Sequence, residues 1–462
     1  MSKTDNFFNS IKDKRVAFCG LGISNFPVME MFVKHGIDVT ACDRRTFEQL
    51  GDSAKKAQQL GVKLSLGEDY LKKLDVDIVF RTPGMRYYMD ELNQMRKHGV
   101  TVTSEMELFF ELCDCKIIAI TGSDGKTTTT SIVAEFLKAA GKRVFLGGNI
   151  GKPLLPEIED IKSDDYAVVE LSSFQLISMR QSPNIAVVTN VAPNHLDIHK
   201  DMQEYIDSKK NIILHQSAFS RAVLNLDNDI SNSFEEDVRG NLAKFSRKST
   251  VYNGAYLKDN QIIYSDFGKE TKVIDISDIF IPGMHNVENY MAAISAVWRI
   301  VDVETIAEVA RTFKGVEHRA EFVRELDGVK YYNDSIASSP TRTASGTLSL
   351  YDEKIIVIAG GYDKKLDYSE LGEVICNKVK ILILMGNTAD KIEDATKNAP
   401  SYSEGNPIIY RVANMEDAVA KARECAVKGD RVSLSPASAS FDLYKNFMDR
   451  GIHFKNIVNS LK

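Results

Sequence analysis

Uninterrupted apolar runs alternate with amphipathic segments along most of the chain, and most of these runs lead into a glycine-containing or polar loop. Such runs are typical of buried strands, and the amphipathic segments between them are typical of helices packed on a sheet. Repeated alternation of this kind predicts an α/β protein built on parallel sheets, with polar loops at the strand ends. The clearest runs are Ile117–Ile120, Tyr166–Val169, Ile185–Thr189, Lys354–Ala359 and Ile381–Met385.

The segment from Lys116 to Gly141 carries the most specific signal. A short strand ends in a glycine loop, a helix with one apolar face follows, and Gly141 stands where a C-terminal cap belongs. Backbone N–H groups of such a loop and the helix dipole bind phosphate, while Lys126 can reach the outer phosphates and the Thr127 hydroxyl can ligate Mg²⁺. The loop sequence is Thr121-Gly122-Ser123-Asp124-Gly125-Lys126-Thr127-Thr128.

This loop is shorter than the ordinary Walker A pattern. Ile120 occupies the place of the first glycine of that pattern, and the first loop glycine is Gly122. The alternative interpretation is a tight strand-to-helix turn with an exposed lysine. Gly-Lys-Thr between an apolar strand and an amphipathic helix favours phosphate binding.

The N-terminal segment contains another glycine turn. Its first strand leads into Gly20-Leu21-Gly22-Ile23-Ser24-Asn25, and the next strand ends at Asp43. This βαβ arrangement makes an NAD-dependent oxidoreductase an alternative, although the third glycine of the dinucleotide fingerprint is missing. Asp43 is explained equally well as a turn residue. A further strand ends in Thr82-Pro83-Gly84, which completes a Rossmann-like block.

Polar groups also follow strands in the central part of the chain. Asn149 lies in a glycine turn, Glu170 ends a buried strand, and His195 follows the next strand. Because the carboxyl ends of parallel strands meet at one edge, we expect Glu170 and His195 near the phosphate loop, where a carboxylate can hold a phosphate-bound metal. Asn286 and Asn289 begin a later helix, and they either bind a ligand or cap that helix.

Length and composition limit the possibilities. A chain of 462 residues predicts several domains, and we place them at 1–104 (Rossmann-like), 105–315 (central, P-loop) and 316–462 (C-terminal α/β). The net charge of −6 gives no reason to expect a nucleic-acid partner. No apolar run is long enough for a membrane span, and the polar N-terminus does not resemble a secretory signal. The six cysteines do not form a disulfide framework, so we predict a cytoplasmic protein.

Taken together, these segments resemble the Mur ligases, and among them the enzymes that add D-glutamate. The resemblance spans almost the whole chain. The phosphate loop, an Asn-His pair and Glu-His-Arg from Glu317 are shared with Mur and folate ligases. Folylpolyglutamate synthases lack the N-terminal block, and other Mur ligases differ after the glutamate that ends the strand. The more specific motifs are GLGIS from Gly20, ELSSFQL from Glu170, NDSIASSPTRT from Asn333 and SPASASFD from Ser435.

The resemblance implies an ATP-dependent amide ligase of peptidoglycan precursor synthesis. ATP would phosphorylate the L-alanine carboxylate of UDP-N-acetylmuramoyl-L-alanine, the amine of D-glutamate would attack the acyl phosphate, and phosphate would leave. Charge neutralisation by a lysine and Mg²⁺, with two ions expected, suits a phosphoryl transfer between anions. The resemblance further implies that the protein binds small-molecule substrates only, has no nucleic-acid or membrane partner, and is a monomer.

The resemblance also implies a role for individual residues. ATP binding falls to Gly122, Ser123, Asp124, Gly125, Lys126, Thr127, Thr128, Asn286, Asn289, Arg319 and Asp334. Binding of the UDP substrate falls to Ser24, Asp43, Arg44, Gly84, Asn149, Ser172 and Gln175. The D-glutamate pocket falls to Ser338, Lys364, Ser440, Phe441 and Phe447. Metal binding falls to Thr127, Glu170, His195 and Lys209, and catalysis to Lys126, His195 and Lys209.

Lys209 has a special expected role. The family places a carbamylated lysine in this segment, and the spacing from Tyr205 selects Lys209, with Lys210 as the alternative. The ordinary interpretation is a solvated pair of helix lysines. An ammonium would repel Mg²⁺, whereas a carbamate formed with CO₂ is an anionic oxygen ligand.

The chain departs from the family pattern at Ile336, where some members have lysine, and at Arg44, where others have a small hydroxyl residue. The remaining alternatives are another Mur or folylpolyglutamate-type ligase, the oxidoreductase considered above, and an ATP-gated binding module without chemistry.

Overall fold

The predicted strand–loop–helix blocks each build their own sheet. The computed structural model describes residues 2–22, 25–72, 74–196 and 198–462. These described residues cluster into two units, one formed by 1–279 with 285–311 and the other by 280–284 with 312–462. The α/β fold class is confirmed, whereas the domain boundaries at 104 and 315 stay predictions. No helix in the described part of the chain is long and apolar enough to cross a membrane.

The first sheet is entirely parallel. Its strands are β1 (Arg15–Cys19), β2 (Asp38–Asp43), β3 (Lys63–Leu66), β4 (Ile78–Phe80) and β5 (Thr101–Thr103). Their order, β3-β2-β1-β4-β5, is that of a doubly wound fold, so the direction of winding reverses between β1 and β4. The loops after these two strands therefore face the crevice where such sheets bind ligands. The helices of this part of the chain are α1 (Lys3–Ser10), α2 (Phe26–Lys34), α3 (Phe47–Leu50), α4 (Asp52–Gln59), α5 (Asp90–Lys97) and α6 (Glu105–Leu112).

The second sheet contains the phosphate loop. Its strands are β6 (Lys116–Thr121), β7 (Val144–Gly148), β8 (Tyr166–Glu170), β9 (Ile185–Val188), β10 (Arg221–Asn225), β11 (Asn241–Ser246), β12 (Gly254–Lys258), β13 (Gln261–Asp266) and β14 (Lys269–Asp275). In the order β14-β13-β12-β11-β10-β9-β6-β8-β7, strand β6 lies between β9 and β8, so the three loops after these strands are neighbours. Residues Ile118, Ala119 and Ile120 have no exposed surface, as expected for a parallel sheet covered on both faces.

Most helices and short 3₁₀ turns of this part lie between its strands in sequence, and the last two helices follow the last strand. They are α7 (Lys126–Ala139), α8 (Ser173–Leu176), α9 (Met202–Leu214), α10 (Asp229–Ser233), α11 (Met284–Val297) and α12 (Val303–Thr312), with 3₁₀ turns at Leu155–Glu157, Phe234–Asp237 and Ile276–Asp278.

The far edge of the second sheet departs from the parallel expectation. Strand β13 runs antiparallel to both of its neighbours, β12 and β14, in a largely polar stretch of the chain. The turn between β12 and β13 contains Asp259 and Asn260, both with positive φ (50° and 60°). Tight hairpins require such values and favour these residue types.

The third sheet belongs to the second unit. Its strands are β15 (Glu321–Leu326), β16 (Val329–Asn333), β17 (Ile355–Ala359), β18 (Val379–Leu384), β19 (Ile408–Arg411) and β20 (Arg431–Leu434). In the order β15-β16-β20-β17-β18-β19, only the edge strand β15 among those described runs antiparallel to its neighbour. Strand β20 lies between β16 and β17, which brings together the loops after these three strands. The sheet is flanked by α13 (Pro340–Ser345), the 3₁₀ turn Thr347–Ser349, α14 (Ser369–Lys378), α15 (Ala389–Lys397), α16 (Met415–Cys425) and α17 (Phe447–Ser460).

Candidate active site

The loop between β6 and α7 has the geometry of a phosphate cradle. Gly122 and Gly125 have φ values of +156° and +76°. A side chain at Gly122 would overlap the Thr189 hydroxyl, and one at Gly125 would overlap the Asn289 side chain. Only glycine satisfies both the backbone conformation and the space at these positions. Helix α7 begins directly after this loop, so its N-terminal N–H groups and dipole face the same place.

The loop is fixed by the segment that follows β9. The Ser123 N–H donates to the Asn190 carbonyl (2.8 Å), and the Asp124 N–H donates to Asn190 Oδ1 (3.0 Å). The Thr189 hydroxyl donates to the Asp124 carbonyl at 2.6 Å. The loop therefore has its shape before any ligand arrives, which lowers the entropy cost of binding. Thr128 lies partly buried in the first turn of α7.

Lys126 lies over the loop. Its ammonium donates to the carbonyl oxygens of Gly122 and Ser123, each at 2.9 Å. These two carbonyl oxygens hold the ammonium in place over the loop. Lys126 is thereby held at the loop, where a lysine side chain can bind a phosphate anion.

Thr127 and Glu170 form a pair of oxygen donors beside the loop. The Thr127 hydroxyl donates to Glu170 Oε2 at 2.6 Å, and Asn149 Nδ2 donates to Glu170 Oε1 at 2.7 Å. Glu170 is 1% exposed. Strand β8 ends at Glu170 beside β6, and the Glu170 carboxylate therefore lies next to the phosphate loop.

His195 lies on the loop after β9 in a left-handed conformation, with φ of 56°. Its ring packs edge-on against Phe174, at 5.3 Å between centroids. Phe174 in turn stacks on His199 at 4.9 Å, and His199 lies 2.8 Å from the Ser173 hydroxyl and 3.2 Å from Glu204. Phe174, from the motif after Glu170, therefore packs between the rings of His195 and His199 and supports His195.

Lys209 and Lys210 have different environments although they are adjacent on α9. Lys209 is 1% exposed, and its ammonium donates to the Gly122 carbonyl at 2.7 Å and lies 4.7 Å from the centroid of the Tyr205 ring. Lys210 instead forms an ion pair with Asp237. Burial, reinforced by the nearby Lys126 charge, holds the pKa of Lys209 well below its usual value. Of the two candidates, Lys209 is the one that lies at the phosphate loop.

Asn286 and Asn289 also reach the phosphate loop region. Asn289 is 5% exposed and accepts a hydrogen bond from Thr129 on α7 at 3.2 Å, and its own amide donates to Asn286 Oδ1 at 3.2 Å. Asn289 also fills the space beside Gly125. Asn289 thus connects α11 to α7 and lies beside the phosphate loop, and Asn286 contacts Asn289.

The residues predicted to hold the UDP substrate fall on two sets of loops. Arg44 is exposed after β2, and Gly84 follows β4 at the crevice of the first sheet. Ser24 lies outside the described residues. Ser172 and Gln175 cap α8 by reciprocal hydrogen bonds of 2.9 and 3.3 Å, so the structure gives both residues a local role as well.

Asp43 has an unexpected partner. Its carboxylate accepts hydrogen bonds from the Leu21 N–H (2.9 Å) and from Nε and Nη2 of Arg45 (3.0 and 2.8 Å). Burial would raise the pKa of Asp43, but the hydrogen bonds from Arg45 and Leu21 outweigh it and hold that pKa at about 2. Asp43 therefore orders the glycine turn after β1 and positions the half-exposed Arg45 at the same crevice.

In the second unit, Asp334 follows β16. It is 5% exposed, accepts a hydrogen bond from the Ala320 N–H at 3.2 Å and contacts the Thr347 hydroxyl. Burial raises the pKa of Asp334 to about 6, against these hydrogen bonds and the nearby positive charge of Arg319. Asp334 therefore lies beside the segment that contains Arg319 and Ala320.

Four of the five residues predicted for D-glutamate lie on the three adjacent loops after β16, β17 and β20. The Lys364 ammonium is exposed and lies 5.7 Å from the centroid of the Phe441 ring. Ser338 is partly buried in the loop after β16, and Ser440 is 2% exposed in the loop after β20. Phe447 begins α17, and its carbonyl accepts a hydrogen bond from Ser335 at 2.7 Å. Sheet topology thus brings these five positions into one part of the unit.

Comparison with known proteins identifies the family. Residues 120–297 match the Mur ligase middle domain, and residues 318–438 match the Mur ligase, glutamate ligase domain. A UDP-N-acetylmuramoylalanine–D-glutamate ligase from Acetivibrio thermocellus is 52% identical over 100% of this chain and 99% of the relative. The chain belongs to the Mur ligase family. A ligase of the same name from Ruminiclostridium cellulolyticum is 47% identical over the full length of both chains.

Solved structures of other Mur ligases share the fold. The UDP-N-acetylmuramate–alanine ligase from Thermotoga maritima superposes with a TM-score of 0.58 at 17% identity, covering 97% of this chain and 100% of that one. A pseudomurein peptide ligase type C from Methanothermus fervidus superposes with a TM-score of 0.54 at 19% identity, over 97% and 100%. At these identities the likeness concerns the fold alone, and it confirms the α/β architecture expected of a Mur ligase.

Several groups at this Mur ligase site were not singled out by the sequence patterns. Arg45, Thr189 and Asn190 are examples, since each lies just past a strand and holds a predicted residue in place. In the sequence, Tyr205 was used only as the reference position that selects Lys209. In the structure it is 1% exposed, and its hydroxyl lies 2.9 Å from the Ser123 hydroxyl. The position of Arg45, Thr189 and Asn190 just after a strand was the available signal, but the partners of Thr189 and Asn190 depend on the strand order.

Proposed function

We propose that this Mur ligase joins D-glutamate to UDP-N-acetylmuramoyl-L-alanine at the expense of ATP, through an acyl phosphate. The main support for the proposal is sequence identity: over its full length, about half of the chain is identical to UDP-N-acetylmuramoylalanine–D-glutamate ligases. The preformed phosphate loop with Lys126, Thr127 and Glu170 supports it, because an ATP-dependent ligase needs such a site.

The first chemical step is phosphoryl transfer. An oxygen of the L-alanine carboxylate attacks the γ-phosphorus of ATP, the bond to the β,γ-bridging oxygen breaks, and ADP leaves. Both reactants are anions, so the site must offset negative charge. Lys126 and the N–H groups of the loop and α7 do so from fixed positions.

The second step forms the amide. The neutral amine of D-glutamate attacks the acyl carbon, a proton leaves the nitrogen, and collapse of the tetrahedral intermediate expels phosphate. In the family assignment, Lys364 faces a carboxylate of D-glutamate, and Ser338, Ser440, Phe441 and Phe447 complete the pocket. The exposed Lys364 ammonium beside the Phe441 ring suits an anionic ligand.

The residues beside the loop fit Mg²⁺. This ion prefers oxygen ligands, and it is commonly held by one or two protein oxygens together with substrate phosphates and water. Thr127 and Glu170 offer those oxygens 2.6 Å apart, and among the described residues no larger cluster of acidic, histidine or cysteine side chains forms a separate metal cage. When bound, Mg²⁺ neutralises charge on the transferring phosphate. His195 is the further ligand assigned by the family pattern.

Lys209 fits a carbamate. Its amine is buried and has no carboxylate among its hydrogen-bond and ion-pair partners in the described chain, so an unprotonated amine is favoured there. An unprotonated amine adds CO₂ and releases one proton, which leaves an anionic carbamate. That group would place oxygen donors beside the Gly122 carbonyl, close to the phosphate loop.

The test is phosphate release from ATP with purified protein. Release should require both UDP-N-acetylmuramoyl-L-alanine and D-glutamate, and L-glutamate, D-aspartate and D-alanine should support much less. The product should carry one D-glutamate by mass spectrometry. An NAD-dependent oxidoreductase would instead bind NADH, and a binding module would bind ATP without releasing phosphate. Release that does not depend on the amino acid would contradict the proposal.

A further inference from the structure

Arg450 is a buried cation in the second unit that the assigned site does not use. It lies on α17, is 1% exposed, and every nitrogen of its guanidinium donates a hydrogen bond. Nε donates to the Ser335 hydroxyl (3.0 Å), Nη2 to the Ser335 carbonyl (2.8 Å), and Nη1 to the carbonyls of Ser438 and Ala439 (3.1 Å each). A buried charge is tolerated only when such bonds satisfy it.

These acceptors belong to different loops. Ser335 lies in the loop after β16, whereas Ser438 and Ala439 lie in the loop after β20. The Ala439 carbonyl also accepts a hydrogen bond from the Tyr362 N–H at 2.9 Å, which adds the loop after β17. Arg450 thus connects two loops directly, and the Ala439 carbonyl joins the third loop to them.

The same loops carry the residues assigned to D-glutamate. Ser338 follows Ser335 by three positions, Ser440 and Phe441 follow Ala439, and Lys364 follows Tyr362 by two. We propose that Arg450 is a positioning residue for the acceptor amino acid, which sets the spacing between the loops that bind D-glutamate. This inference rests on the proposed function and extends it to a residue outside the pocket.

The chemistry of the side chain explains why arginine is required. A guanidinium is planar and donates in several fixed directions, so it can hold carbonyl oxygens of two loops at a defined separation. A lysine has the same charge but a single nitrogen, and it cannot reproduce the contacts with Ser335 and with Ala439 together. Burial lowers the pKa of Arg450 to about 10, so it stays protonated at neutral pH.

Arg450→Lys and Arg450→Met test the proposal in the full-length enzyme. We expect the KM for D-glutamate to rise at least about tenfold in both variants, because small misplacements of binding groups have large effects. The KM values for ATP and for UDP-N-acetylmuramoyl-L-alanine should stay within about twofold, since their assigned residues do not touch Arg450.

Phe454→Leu is the matched control. Phe454 lies on the same helix and has no exposed surface, but it packs in the hydrophobic core and not against these loops. It should lower the melting temperature without changing the KM for D-glutamate. If Arg450→Lys behaves in the same way, its role is only structural and the proposal is wrong.

Ser335→Ala provides a milder variant in case the arginine variants fold poorly. It removes the hydroxyl that accepts from Arg450 and donates to the Phe447 carbonyl. A selective increase in the KM for D-glutamate is expected again, and an unchanged KM would overturn the inference. An inactive wild-type enzyme would instead refute the proposed function, so the two failures are distinguishable.

Discussion

Two buried cations of this protein, Lys209 and Arg450, are each 1% exposed but have different surroundings. Lys209 lies beside the phosphate loop, and Arg450 lies beside the loops after β16 and β20. Lys209 has a short hydrogen bond to one carbonyl, a longer contact to the Thr121 hydroxyl and an aromatic ring nearby. Arg450 donates four hydrogen bonds to groups on two loops. Burial lowers the pKa of both, but that of Arg450 remains about 10, whereas that of Lys209 falls well below its usual value. Lys209, which has few hydrogen bonds, is therefore suited to react as an amine, whereas Arg450, whose hydrogen bonds are satisfied, is suited to hold loops in place.

Removal of Lys209 should have the largest effect. We expect Lys209→Ala to lose at least about 100-fold in kcat, because an anionic group at the phosphate loop is lost. Added formate or acetate should restore part of the activity by filling the vacated site. Lys210→Ala is the control: its partly exposed ion pair with Asp237 should contribute little, so kcat should stay within about twofold. Near-normal turnover of Lys209→Ala would remove Lys209 from the mechanism.

Lys209→Arg sharpens the contrast between a cation and a reactive amine. Arginine keeps the positive charge but does not lose its proton at neutral pH, so it cannot form a carbamate. The loss of kcat should match that of Lys209→Ala, again about 100-fold, without rescue by short carboxylic acids. Phosphate release at saturating substrates measures this, and retention of activity would show that only the charge matters.

The buried carboxylates Asp334 and Asp43 also differ in their surroundings, and their pKa values shift in opposite directions. Asp334 has a pKa of about 6, above its ordinary value of 3.8, so folding stability is full below pH 4 and declines as the pH rises through 6. Asp334→Asn removes this loss, and it should be more stable than wild type by about 1–3 kcal/mol at pH 8 relative to pH 4. Urea unfolding at both pH values measures the difference. An equal difference at the two pH values would contradict the prediction.

Asp43, paired with Arg45, should respond in the opposite direction and less strongly. Its pKa of about 2 lies below 3.8, so its contribution to stability is present above pH 4 and lost as the pH falls towards 2. Because Arg45 is half-exposed, solvent weakens the pair, and Asp43→Asn should cost about 1 kcal/mol at pH 7. The cost measured by urea unfolding should shrink at pH 3, and a constant cost would argue against the assignment.

The sequence predicted the parts of the molecule that depend on local pattern. The β6 strand, the glycine loop and α7 were predictable because apolar runs and glycines encode them directly. The carboxylate of Glu170 beside that loop also followed, since parallel strands align their ends. Strands β11, β12 and β14 were missed because they are partly polar, and β14 also pairs antiparallel with β13.

The partners of the site residues could not be predicted from the sequence. That Arg450 connects Ser335 with Ala439 depends on which strands become neighbours, whereas the contact of Arg45 with Asp43 is local and depends on how the loop after β2 turns. The choice between Lys209 and Lys210 likewise needed the orientation of α9, because adjacent helix positions point in different directions. Burial and ion pairing in the structure then separate them.

The most direct test of the reactive amine is ¹³C NMR of the enzyme in ¹³C-bicarbonate at pH 8. Wild type, Lys210→Ala and Arg450→Lys should each show one carbamate resonance, and Lys209→Ala should show none. The resonance should also decline when dissolved CO₂ is removed. A wild-type enzyme without this resonance, or a resonance that persists in Lys209→Ala, would contradict the assignment of the buried lysine as the carbamylated ligand.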